Sequence, residues 1–165
     1  MSRWRLALVV IALAACEARD GQPQGFSGSI DAYESYIKKS KASEGAIGLR
    51  HLVRALQISW MERMRFPDAA AGPTPPVGAC CGLPGDRCPA ATQAPEGTWR
   101  ELDLAFDSPF RFSYWYEVVD PAREVVVHAI GDLDCDGITS DLAARLTVTP
   151  AGEIAVTMTE SRPDE

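Results

Sequence analysis

The sequence predicts an α+β domain: one long N-terminal amphipathic helix packed on an antiparallel meander of about four strands, with a disulfide-pinned loop between them. Three observations predict it. Residues 31–65 contain no proline and repeat apolar side chains at helical spacing. Residues 67–97, "PDAAAGPTPPVGACCGLPGDRCPAATQAPEG", are dense in proline, glycine and cysteine. From residue 99 onward the chain breaks into short alternating runs separated by turn residues, which reads as strands joined by short connections.

The amino terminus comes first. Arg3 and Arg5 precede the apolar run "LALVVIALAA" at residues 6–15, too short to span a bilayer and of the length of a signal-peptide core. Residues 1–15 are therefore read as removed on export. The run ends in "LAAC", which resembles the lipobox of bacterial lipoproteins. That resemblance implies a diacylglycerol on Cys16, which becomes the first mature residue; an ordinary secretory signal with an incidental cysteine is the alternative. Acyl chains on one residue anchor stably because each buried methylene contributes about 0.8 kcal/mol. Glu17 is not the aspartate that retains such lipoproteins in the inner membrane, so the expected place is the cell envelope, with the outer membrane, facing periplasm or surface, favoured. Removing Arg3 and Arg5 from the 16 basic side chains leaves 14 against 23 acidic ones, a formal charge of about −9. Such a surface repels nucleic acid and lacks a polybasic membrane-binding face.

Residues 16–30, including "EARDGQPQGFSGS", are polar and glycine-rich and read as a flexible tether. The domain spans 31–160, and 161–165 form a disordered tail. In the helix the apolar stripe runs through Tyr33, Tyr36, Ile37, Ile47, Val53, Leu56, Trp60 and Met64. Ser29 or Asp31 caps its start, Gly45 and Gly48 weaken its middle by about 1 kcal/mol each, and Pro67 closes it. In the loop that follows, Cys80, Cys81 and Cys88 join Cys135 as an even set in an exported chain, which implies disulfides. Adjacent Cys80 and Cys81 do not readily bond each other. Two pairings remain open, and both tie Cys135 to the "CC" segment. A zinc site is the weaker alternative, for want of a C-x-x-C pair. The strand candidates are "WRELDLAF", "FRFSYWYEVVD", "EVVVHAIGD", "LAARLTVT" and "EIAVTMTE".

Catalytic signatures are missing: there is no G-x-S-x-G elbow, H-E-x-x-H or phosphate-binding glycine loop. His51 sits on the helix and His128 in a strand, and Asp103 with Asp107 reads as a solvated strand end rather than a glycosidase dyad. The expectation is a protein that is not an enzyme. Among Trp99, Phe106, Phe110, Phe112, Tyr114, Trp115 and Tyr116, alternation puts Phe110, Phe112, Tyr114 and Tyr116 on one face, as core, and Trp115 on the other.

The chemical candidate is "GDLDCDGITSD", residues 131–141. Calcium takes several oxygen ligands, and D-x-D-x-D-G wraps carboxylates around one point while glycine permits the sharp turn. Asp132, Asp134, Asp136 and Gly137 match that start, but Ala143 stands where an EF-hand has its bidentate glutamate. The Ile138 carbonyl, the Ser140 hydroxyl and Asp141 are the substitutes, so calcium would bind weakly, at roughly 10⁻⁴ to 10⁻³ M. An acidic turn without an ion is the other reading.

Taken in order, "YIKKSKASEGAIGLRHLVRALQ", the proline-rich "CC" loop, "PFRFSYWYEV" and "VVVHAIGDLDCDGITS" resemble the soluble part of type IV pilins and pseudopilins, in particular the minor pilin-like group with a "GDLDGDG" turn. The resemblance covers residues 33–149. It implies a pilin-like domain acting in recognition or assembly, with a type IV pilus or type II secretion apparatus as partner. The apolar stem and prepilin-peptidase site of pilins are replaced here by the lipobox and tether, so a standard filament subunit is not expected. The reading from another class is a free-standing extracytoplasmic module that binds a small ligand or sugar and is stabilised by calcium.

Overall fold

Two glycines set the distance between helix and sheet. The computed structural model describes residues 26–91 and 95–162; the signal peptide, Cys16, most of the expected tether and residues 163–165 lie outside the described residues. Helix α1 spans Phe26–Arg63, so it begins inside the segment read as tether. It is followed by β1 (Ala71–Thr74), α2 (Gly97–Glu101), β2 (Ser113–Asp120), β3 (Glu124–Gly131), β4 (Ser140–Val148) and β5 (Ile154–Ser161). The strands form one antiparallel sheet in the order β1-β2-β3-β4-β5. The α+β architecture is thus as expected, with five strands instead of four.

The buried face of α1 is rotated from the stripe that periodicity picks out. Leu49, Leu52, Leu56 and Trp60 are buried, at spacings of three and four that keep them on one side. Of the expected stripe, Leu56 and Trp60 are core and Ile37 and Val53 half-buried, whereas Tyr33, Tyr36, Ile47 and Met64 are exposed. The cause lies in Gly45 and Gly48. A Cβ on Gly45 would lie 2.5 Å from the Phe112 ring, and one on Gly48 would lie 1.9 Å from the Tyr114 hydroxyl. Bare backbone at these two positions lets the rings of Phe112, just before β2, and Tyr114, within it, pack directly against the helix. Helical propensity is given up to gain contact area.

The helix stops at Met64, whose φ of 53° is left-handed and whose N–H donates to Trp60 O at 2.8 Å. The chain then turns inward: Phe66 is buried with its ring centroid 5.1 Å from that of Trp60, and its N–H donates to Pro121 O. The Tyr116 hydroxyl donates to Pro67 O at 2.7 Å, satisfying a fully buried phenol.

Two expectations about the middle of the chain are corrected. "WRELDLAF" is not a strand: its first residues form the end of α2, and Trp99 and Leu102, three apart, point into the core with Leu104. The missing strand comes instead from the proline-rich loop, where β1 pairs with β2 through Ala71↔Tyr116 and Thr74↔Tyr114. Trp99 supports that edge by donating from Nε1 to Thr74 Oγ1 at 3.0 Å, and Thr98 Oγ1 donates to Ala69 O at 2.6 Å. The expected tail also starts later, because β5 runs through Ser161.

The inner face of the sheet carries Phe112, Tyr114, Tyr116, Val125, Val127, Ala129, Ala144 and Leu146, all buried. α1 lies over β3 and β4, and α2 lies against β1. The predicted alternation in β2 holds: Tyr114 and Tyr116 face inward, and Trp115 faces out, stacked on His128 with centroids 5.1 Å apart.

Gly48→Ala should destabilise by about 1–3 kcal/mol through overpacking, against the direction of helix propensity. Gly28→Ala, where the added Cβ meets nothing within 4 Å, should be neutral or stabilising by up to about 1 kcal/mol. Urea unfolding of the two variants checks the opposite signs.

Candidate site at the disulfide-pinned aspartate loop

The turn between β3 and β4 is built by its own carboxylates. Gly131 ends β3 where a Cβ would lie 2.6 Å from the Phe112 ring, and Leu133 then plugs the loop into the core. Asp132 folds back over the turn: its Oδ1 accepts the Asp136 N–H at 3.2 Å and its Oδ2 the Gly137 N–H at 3.0 Å. Asp136 Oδ1 accepts the Ile138 N–H at 2.7 Å. Cys135 and Gly137 have φ of 64° and 92°, and these left-handed positions tighten the loop until one oxygen from each of Asp132, Asp134 and Asp136 falls within 4.8 Å of the others.

Two of the other proposed ligands are held elsewhere. The Ser140 hydroxyl is buried and donates to Gly131 O at 3.2 Å. Asp141 lies in β4, with both carboxylate oxygens 3.1 Å from His128 Nδ1. Strand geometry explains both: once β4 begins at Ser140, successive side chains alternate between the faces of the sheet and cannot return to the loop. Ile138 contributes its N–H to the turn. The carboxylates that converge are those of the three aspartates.

Cations from α1 reach this set. Lys38 Nζ lies 2.9 Å from Asp134 Oδ2, and Lys41 donates to the Leu133 carbonyl. Hydrogen bonding to Lys38 is the chief reason that the Asp134 carboxyl is held below the usual carboxylate range. One turn further along the helix, Glu44 accepts the Arg111 N–H and its guanidinium, the latter at 3.1 Å, and pairs with Arg87 at 3.3 Å. Lys38, Lys41 and Glu44 were not singled out as site residues from the sequence. Their spacing of three, which places them along one helical face, is the signal that marks them.

Cysteine chemistry closes the junction. Cys81 bonds Cys135 and Cys80 bonds Cys88, with Cα–Cα distances of 5.6 and 4.6 Å. This is one of the two pairings left open by the sequence. The long irregular loop is thereby pinned at its own neck and to the aspartate turn. Elsewhere, the second histidine, His51, is exposed on α1, while His128 is flanked by Asp141 and, at 3.8 Å from Nε2, by Glu117. The stacked pair of Phe106 and Phe110 packs beside Tyr114. Asp103 and Asp107 are exposed on the segment after α2.

Two measurements test the junction. Removing the Cys81–Cys135 link, which closes a separation of 54 residues, should lower stability by about 4 kcal/mol in the chain-entropy model, read from urea unfolding of the Cys81→Ser/Cys135→Ser double variant. The Lys38–Asp134 pair is more exposed and should contribute about 0–1 kcal/mol at neutral pH. Because the folded carboxyl is depressed, this contribution is present above the unfolded value of about 3.9 and fades as pH falls through the lower folded value. Lys38→Met and wild type should therefore differ at pH 7 and converge in strong acid.

Set against protein-family models, curated proteins and solved structures, the chain matches none of them.

Proposed function

We propose that this chain is a non-catalytic, lipid-anchored envelope protein whose α+β domain is pilin-like and acts in recognition or assembly, with a type IV pilus or type II secretion apparatus as its partner. The observation that carries the reading is the bare start of α1. From residue 28 to residue 36 every side chain is exposed, with Tyr33 65% and Tyr36 67% accessible. Short helices in water are marginal without packing. A helical arm that presents aromatic side chains beyond its own sheet is suited to contact with another protein. The arm is also the part of the described domain nearest Cys16 in sequence.

The test is affinity purification of the full chain from its own envelope. Pilus or secretion-system components should be recovered with wild type and lost with Tyr33→Ser/Tyr36→Ser, while the variant keeps its circular dichroism. Recovery of no such component overturns the assembly role. Fatty-acid labelling of wild type that is absent from Cys16→Ala tests the anchor separately.

The convergence of Asp132, Asp134 and Asp136 within 4.8 Å favours a second reading, a calcium-stabilised binding module for a small ligand or sugar. Calcium would have to compete with the Lys38 ammonium already at Asp134. Under this reading millimolar calcium, about one to ten times the dissociation constant of so weak a site, stabilises the fold by mass action by about 0.4–1.4 kcal/mol and raises the unfolding midpoint. Lys38→Met should enlarge the shift and Asp136→Asn should abolish it. A midpoint unmoved by calcium in both wild type and Lys38→Met removes the reading.

A further inference from the structure

Strand β5 ends the sheet on an open edge. Among the described residues it hydrogen-bonds β4 alone, so a row of backbone N–H and C=O groups faces outward. The two edges of the sheet are unlike. β1 is four residues long, contains Pro73 and is followed by Pro75, and proline has no N–H to offer an added strand. β5 is eight residues long, has neither proline nor lysine, and pairs with β4 in continuous register.

The inner face of β5 is also uncovered. Ile154, Val156 and Met158 lie opposite Val148, Leu146 and Ala144 and so belong to the helix-bearing face. α1 lies over β3 and β4, and Val156 and Met158 remain 37% and 50% exposed. An unpaired edge and an open apolar stripe on the same strand call for an occupant that supplies both a strand and apolar side chains.

We propose that the occupant is a second copy of this chain, its β5 added antiparallel across a two-fold axis at Val156. In that register Val156 faces Val156 of the second copy, and Ile154 and Met158 face each other twice. Two open stripes then become one row across a continuous sheet, with both helices on the same side. This register pairs all three apolar residues of the stripe, and charge disfavours shifts toward the carboxyl end. Moving the axis to Thr157 sets Ile154 against Glu160, and moving it to Met158 sets Val156 against Glu160. With the axis at Val156, Glu153 faces Thr159 and Glu160 faces Gly152, so no carboxylate meets another despite the chain's net charge of −7. The joint uses few residues from each copy, below the roughly 20–30 per side of a standard interface, so the dimer is weak, with a dissociation constant on the order of micromolar or above.

Sedimentation of the full chain from about 5 to about 500 µM should show a monomer–dimer equilibrium across that range. Val156→Cys should form a disulfide-linked dimer on mild oxidation, with the 156–156 linkage identified by peptide mapping so that links through Cys16 are not counted. Val156→Lys should raise the dissociation constant at least ten-fold while leaving the circular dichroism unchanged. A monomer at every concentration with no 156–156 link overturns the proposal. So does a dimer that survives Val156→Lys, which places the interface elsewhere, or a link from residue 156 to a segment before residue 26, which gives the stripe to the chain's own amino terminus.

Discussion

Contact between the backbone of α1 and two aromatic rings at the start of β2 and just before it is the constraint on which the rest of this structure depends. Phe112 and Tyr114 reach the helix only because positions 45 and 48 have no side chain. Phe112 also touches Gly131, where β3 gives way to the aspartate loop. One ring thus sets the height of the helix above the sheet and the point at which the loop leaves it. Leu49, Leu52 and Leu56 then fall over β3 and β4, and Trp60 meets Phe66 where the chain turns back. Interiors pack at crystal-like density, so a helix held this close fixes the positions of everything beneath it.

The same closeness explains why the aspartate loop is a junction and not a free turn. With α1 seated low, Lys38 and Lys41 come within reach of Asp134 and the Leu133 carbonyl, and Glu44 within reach of Arg111. The loop's negative charge is partly balanced by ammonium groups from its own domain. The Cys81–Cys135 bond holds the same loop from the other side. Each of these links is modest or local taken alone. Together they join helix, cysteine loop and β3–β4 turn at one corner, so stability there is shared among covalent, ionic and packing terms that do not act independently.

Cover over the inner face of the sheet is uneven, and function is sought where it fails. α2 with Trp99 backs β1, and α1 backs β3 and β4. Among the described residues, the apolar surfaces left open include the start of α1, with Tyr33 and Tyr36, and the stripe on β5. They lie on different elements, one a helix face and the other a sheet edge. Each suits a different kind of contact, side-chain packing in one case and backbone pairing in the other.

By itself the sequence determined what depends on local pattern. The proline-free stretch before Pro67 specified a long helix, "FRFSYWYEVVD" and "EVVVHAIGD" read as strands, with Phe112, Tyr114 and Tyr116 correctly inward although Phe110 is only half-buried, and the cysteine arithmetic left two pairings, one of which the structure has. What only tertiary structure decided depends on distance between segments. Gly45 and Gly48 read locally as weak points, yet they mark the contact face, because the reason for a missing Cβ is a ring more than sixty residues away in sequence. The apolar residues Tyr33, Tyr36 and Ile47 fit a helical stripe but remain exposed, since periodicity sees amphipathicity and not the extent of the sheet beneath. β1 was hidden in a proline-rich loop because its pairing is supplied by β2, and "WRELDLAF" passed for a strand because Leu104 and Phe106 alternate while the helical spacing of Trp99 and Leu102 is short. In the candidate site, Asp132, Asp134 and Asp136 were legible as a cluster from their spacing alone. That Ser140 and Asp141 turn away, and that Lys38 is the group facing Asp134, follows from where β4 begins and where the helix lies, which no local pattern encodes.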